Sequence, residues 1–66
     1  MEHRNAIELA TRRNGGVEVR LLWRRDDDVC TVSVADDQTG EEFEVEVTRE
    51  RALDAYYHPF AYAAAA

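Results

Sequence analysis

The stretch Val17–Val47, VEVRLLWRRDDDVCTVSVADDQTGEEFEVEV, decides the fold. Val17, Val19, Leu21 and Trp23 alternate with Glu18, Arg20 and Arg24. Cys30, Val32 and Val34 alternate with Thr31 and Ser33, and Phe43, Val45 and Val47 alternate with Glu42, Glu44 and Glu46. A period of two is that of strands with one dry and one wet face. Two acidic turns separate the three runs. A turn centred on Asp26-Asp27 pairs Trp23 with Cys30, Leu21 with Val32 and Val19 with Val34, and sets Arg24 against Val29 and Leu22 against Thr31 outside. A four-residue loop from Asp37 to Gly40, with Gly40 at positive φ, pairs Val34 with Phe43, Val32 with Val45 and Cys30 with Val47. Every inward pair is apolar in both cases, so turn chemistry and hydrophobic phase agree.

Upstream, residues 4–13 admit two readings. As a helix, Ile7 and Leu9 fall on different faces, with Asn14-Gly15 as a C-cap. As a strand, Ile7, Leu9 and Thr11 alternate with Glu8, Ala10 and Arg12, and Asn14-Gly15-Gly16 is a hairpin turn. Register favours the strand. A three-residue loop, Arg13-Asn14-Gly15, with Gly15 left-handed, pairs Thr11 with Val17, Leu9 with Val19 and Ile7 with Leu21, and sets Glu8 opposite Arg20 on the wet face.

Downstream, Thr48 is expected to cap a helix over Arg49–Tyr57, its side-chain oxygen accepting from Glu50 or Arg51, with Glu50 in the first turn. Pro59 ends that helix near His58. Ala52, Leu53 and Tyr56 share a stripe at helical spacing that should lie on the dry face. The architecture expected is α+β: a four-stranded antiparallel meander, Ile7–Arg12, Val17–Arg24, Val29–Ala35 and Glu42–Val47, with one C-terminal helix packed on one face. Residues 1–66 form a single small domain, with residues 1–5 and 62–66 as mobile ends.

Sixty-six residues lie near the lower end of what folds without help. The single cysteine, Cys30, cannot close an internal disulfide, and no Cys/His grouping has the spacing of a zinc site. A packed core or a partner must then supply the stability. A lone thiol, an N-terminus without an apolar run and the lack of any membrane-length segment point to a cytoplasmic protein. The net charge of −6 argues against nucleic acid as partner, because phosphate binding needs clustered positive charge. All eight basic residues are arginine.

No grouping carries catalytic chemistry, and no cofactor is implied. Cys30 falls at an inward position on a central strand and reads as a buried, inert hydrophobe. His58 reads as part of the helix end. Asp26-Asp27-Asp28 and Asp36-Asp37 lack the spaced oxygens and distal glutamate of a calcium loop and read as solvated turns. Glu42, Glu44 and Glu46 form an acidic ladder on an edge strand. Such a ladder keeps an edge from pairing with other chains, and it would equally suit a basic partner, as an inhibitor or nucleic-acid mimic does.

The stretch Tyr56-Tyr57-His58-Pro59-Phe60-Ala61-Tyr62 holds four aromatics in seven residues. One helical stripe cannot bury both Tyr56 and Tyr57. The plain expectation is that Tyr56 and Phe60 seal the core while Tyr57 and Tyr62 lie on the rim. The functional one is an aromatic surface for a protein partner or a second copy. The interaction residues expected on this basis are Tyr57, Phe60 and Tyr62, with Leu22 and Val29 on the outer face. Glu44 and Glu46 serve the acidic alternative.

The segment Arg51-Ala52-Leu53-Asp54-Ala55-Tyr56-Tyr57-His58-Pro59-Phe60-Ala61-Tyr62-Ala63, following Thr39 to Glu44, resembles small uncharacterised proteins of high-GC Gram-positive bacteria over the C-terminal two-thirds of the chain. The resemblance implies no activity, cofactor or catalytic residue. The alanine end, Ala63 to Ala66, is similar to C-termini that bacterial unfoldase-proteases recognise.

Overall fold

The computed structural model describes residues 6–65. Met1 to Asn5 and Ala66, on which part of the mobile-end expectation falls, lie outside the described residues. The chain forms four strands, β1 (Ala6–Asn14), β2 (Val17–Arg24), β3 (Val29–Asp36) and β4 (Glu42–Val47). A 3-10 turn (Arg49–Arg51) and two short helices follow, α1 (Ala52–Tyr57) and α2 (Pro59–Ala65). The strands pair antiparallel in the order β1-β2-β3-β4, an open meander. It is an α+β fold with the helices on one face.

The centre of the sheet has the register expected from its alternation. Leu21 faces Val32, Val19 faces Val34 and Trp23 faces Cys30. Val32 faces Val45, Val34 faces Phe43 and Cys30 faces Val47. Gly40 at φ 78° closes the loop after β3, where the Asp36 carboxylate accepts from the amides of Gln38 (2.9 Å) and Thr39 (3.4 Å). The Asp-rich turn is held by Arg24, whose guanidinium grips Asp27 through Nε and Nη2 at 2.9 Å each. Trp23 Nε1 donates to Asp28 at 2.8 Å.

The first hairpin departs from expectation. Its turn is Gly15-Gly16, at φ 61° and 84°, so Asn14 pairs with Val17. Two consecutive positive-φ residues make the two-residue hairpin turn whose twist matches the flanking strands, and two glycines adopt it with least strain. Moving the turn reverses the phase of β1. Ala10 faces Leu21 and Arg12 faces Val19 on the dry side, while Thr11 faces Arg20 outside. A bulge at Leu9 then restores the original phase, so Glu8 faces Leu22 outside and Ile7 faces Trp23 inside. The expected cross-strand partners of Thr11, Leu9 and Ile7 are therefore wrong. Glu8 still reaches Arg20, diagonally, at 3.9 Å.

The core lies between the sheet and α1. Val19, Leu21, Cys30, Val32 and Val34 meet Ala52, Ala55 and Tyr56, with Trp23, Phe43, Val47 and Tyr62 packed around them. Each large apolar side chain so buried stabilises the fold by roughly 1.5–3 kcal/mol. Two expectations at this layer are corrected. The buried stripe is Ala52, Ala55 and Tyr56, the i, i+3, i+4 set, which turns Leu53 outward at 62% exposure. Thr48 is extended and its side chain caps nothing; instead its carbonyl accepts from Arg51 at 3.1 Å, tightening the entry into a 3-10 turn. Pro59 ends α1 as expected, and it also opens α2, where its missing N–H leaves no donor unpaired.

Candidate interaction site

α1 has only six residues and spans little of the dry face. At about 1.5 Å per residue such a helix covers roughly 9 Å. Two open troughs flank it as a result. One, about 430 Å³, is lined by Leu9, Leu21, Trp23, Cys30, Ala52 and Leu53 among others. The other, about 410 Å³, lies between the β1–β2 hairpin and the α1–α2 elbow, lined by Arg12, Val17, Val19, Tyr57, His58 and Phe60 among others. Ile7 and Leu9 are exposed on β1, and Leu53, Tyr57 and Phe60 on the helices.

The aromatic tail splits differently from the plain expectation. Tyr56 is buried. Tyr57, 59% exposed, stands edge-on to it at 5.1 Å. Phe60, expected to seal the core, is 53% exposed and touches Phe43 edge to face at 5.4 Å. Tyr62, expected on the rim, packs against the core instead, its hydroxyl donating to Asp54 Oδ2 at 2.6 Å. Helical spacing accounts for the exchange: Pro59 restarts the helix, and its own buried ring takes the inward position that Phe60 would otherwise hold.

On the outer face Leu22 is 9% exposed, which withdraws it from the expected contact surface. It pairs with buried Thr31, and the register surrounds the pair with Glu8, Arg20, Arg24 and Glu46. The Arg24–Glu46 ion pair (3.6 Å) and the Arg20–Glu8 pair (3.9 Å) pass on either side, so charged side chains roof a small apolar spot. Val29 beside it is half-buried. Glu42, Glu44 and Glu46 are all exposed along β4, as expected of an edge ladder.

Cys30 is buried, and burial pushes its thiol up from its ordinary value; nearby Asp28 acts in the same direction and Arg49 against it. Cys30 lines one trough and His58 the other, so the structure does not bring them together. Among the described residues no group of three His, Cys, Asp or Glu side chains could hold a metal, and no helix is long and apolar enough to cross a membrane.

The residue that sequence reading missed is Arg12, placed on the wet face by the wrong turn. It points inward instead. Its guanidinium carbon lies 5.2 Å from the Tyr56 ring centroid and 5.8 Å from that of Tyr57, and Nη2 donates to the Tyr56 carbonyl at 2.7 Å. Nε is buried without an acceptor among the described residues. The other half-buried arginine, Arg24, pairs with Asp27 and Glu46; Arg12 has no carboxylate partner among the described residues. The signal for it was the Gly15-Gly16 pair.

Compared with known protein families, curated proteins and solved structures, the chain has no match.

Proposed function

We propose that the chain is a non-enzymatic protein–protein interaction module that associates with a second copy of itself through its helix-bearing side. One observation carries the reading: among the described residues, the exposed apolar side chains of Leu9, Leu53, Tyr57 and Phe60 line the two troughs beside a helix too short to cover the sheet. Aromatic side chains that bury large area at low entropic cost are typical anchors of such contacts. A domain of this size also gains much from a partner. A single buried thiol suits the reducing cytoplasm in which we place it. Light scattering coupled to size exclusion tests the reading. The wild type should run as a dimer that Tyr57→Ala and Phe60→Ala shift towards monomer by at least tenfold in dissociation constant. A monomer at every concentration, unmoved by either substitution, would remove self-association.

The exposed carboxylates of Glu42, Glu44 and Glu46 support a second reading, an acidic inhibitor occupying the basic groove of a partner. It expects salt-sensitive capture of basic proteins, weakened when Glu44 and Glu46 are both changed to Lys. Capture of neutral and acidic proteins alone would count against it.

A further inference from the structure

Arg12 stands on the dry side of β1, where the facing residues of β2 are apolar. It faces Val19 across the hairpin and packs on two tyrosine rings, yet it leaves Nε buried without an acceptor among the described residues. An unsatisfied buried donor costs stability and calls for a reason. One is structural: the bond to the Tyr56 carbonyl satisfies an orphan group at the end of α1. That bond needs one N–H of the five on the guanidinium. It also fixes the side chain, which lines the trough of about 410 Å³ beside Tyr57 and Phe60.

We infer that this trough is a receptor for a carboxylate carried beside an apolar side chain of a partner polypeptide. Arg12 takes the carboxylate, and Tyr57, Phe60 and Val17 take the apolar group. The inference rests on the interaction reading above and names the chemistry of the partner's contact. Charge decides between anions. With Nε buried and Nη2 bonded to the Tyr56 carbonyl, Nη1 is the end of the guanidinium left for a carboxylate, and Arg12 has no carboxylate partner among the described residues. The chain is acidic, at −6 overall, so its field opposes a polyanion such as nucleic acid far more than a single carboxylate. The site is also continuous with the exposed aromatics, so a chain lying across Tyr57 and Phe60 reaches Arg12 without rearrangement.

The probe is N-acetylphenylalanine, which joins a free carboxylate to an aromatic body, with N-acetylphenylalaninamide as its neutral twin. Each is titrated into the isotopically labelled protein and followed by amide chemical shifts. The acid should give saturable shifts at Arg12, Asn14, Tyr57 and Phe60 and bind at least tenfold more tightly than the amide. Arg12→Met should abolish the preference for the acid, and Phe60→Ala should weaken both probes. Equal affinity for acid and amide in the wild type would overturn the inference without recourse to any variant. So would shifts confined to exposed arginines such as Arg13 or Arg25. The scattering measurement separates the two proposals: a strictly monomeric protein that still prefers the acid removes self-association and keeps this site.

Discussion

Nη2 of Arg12, on the first strand, donates a 2.7 Å hydrogen bond to the carbonyl oxygen of Tyr56, near the end of α1. The bond joins an edge strand to the helical layer and closes a helix end that His58, exposed and one residue beyond, caps only through its backbone amide to Asp54 at 2.9 Å. A hydrogen bond from a charged donor contributes roughly 1.5–3 kcal/mol. The total stability expected for a chain of this length is about 3–10 kcal/mol. Arg12→Ala should therefore lower the urea midpoint by the equivalent of about 2 kcal/mol with little change in slope. An unchanged midpoint would show that the bond contributes nothing to the fold.

The Gly15-Gly16 turn makes a prediction that separates the two possible registers of β1. At Gly16, φ is 84° and an added Cβ would meet Gln38 Cγ at 3.4 Å, so Gly16→Ala should destabilise by about 1–2 kcal/mol. At Gly15, φ is 61° and nothing lies within 4 Å, so Gly15→Asn should cost less than about 0.5 kcal/mol, because asparagine tolerates the left-handed region. A hairpin closed one residue earlier, with Gly16 in the strand, would make the alanine substitution harmless. Thermal melts of the two variants read the difference.

The contrast between the two halves of the sheet explains what could be read from sequence. For β2, β3 and β4, two turns of different chemistry each forced the same apolar phase, and Leu21, Val32 and Val45 align as expected. For β1, Asn14-Gly15-Gly16 admits several turns, and the alternation of Ile7, Leu9 and Thr11 favours the wrong one. A bulge at Leu9 breaks that alternation in a way no periodicity displays. The exposure of Tyr57 was legible, since one stripe cannot bury two neighbouring tyrosines. Arg12 was not, because its inward position follows from the Gly15-Gly16 turn, which competed with an earlier closure of the hairpin.

Acid should loosen the Asp-rich turn at the Arg24–Asp27 pair. The hydrogen bonds from Arg24 hold the Asp27 carboxyl below its ordinary value of 3.8. A carboxyl lowered in the fold contributes stability that is complete above its unfolded pKa and is lost as pH falls through its folded pKa. The loss therefore lies below pH 3.8. Asp27→Asn should lower the midpoint slightly at pH 7, since the pair is exposed and screened, and the deficit should shrink as pH falls below 3.8. An equal deficit above and below pH 3.8 would show that the ionised pair does not contribute.

Cys30 gives a direct reading of how tightly the sheet closes. It lies on β3 between Trp23 and Val47, buried, with its thiol pushed up by burial. The thiolate is the reactive species, so a disulfide reagent should modify the native protein far more slowly than the urea-unfolded chain, by roughly 100-fold or more at pH 8. Two substitutions calibrate the measurement. Val32, 0% exposed, loses two carbons and leaves a void in Val32→Ala, at a cost of about 2–3 kcal/mol. If labelling follows opening at equilibrium, that cost raises the rate by roughly 30-fold or more. Leu53→Ala removes a side chain that stands in solvent and should leave the rate within about twofold. If Leu53→Ala accelerated labelling as much as Val32→Ala does, the stripe Ala52, Ala55 and Tyr56 would not be the face that α1 presents to the sheet. The exposed apolar rim on which the interaction reading depends would then be part of the core.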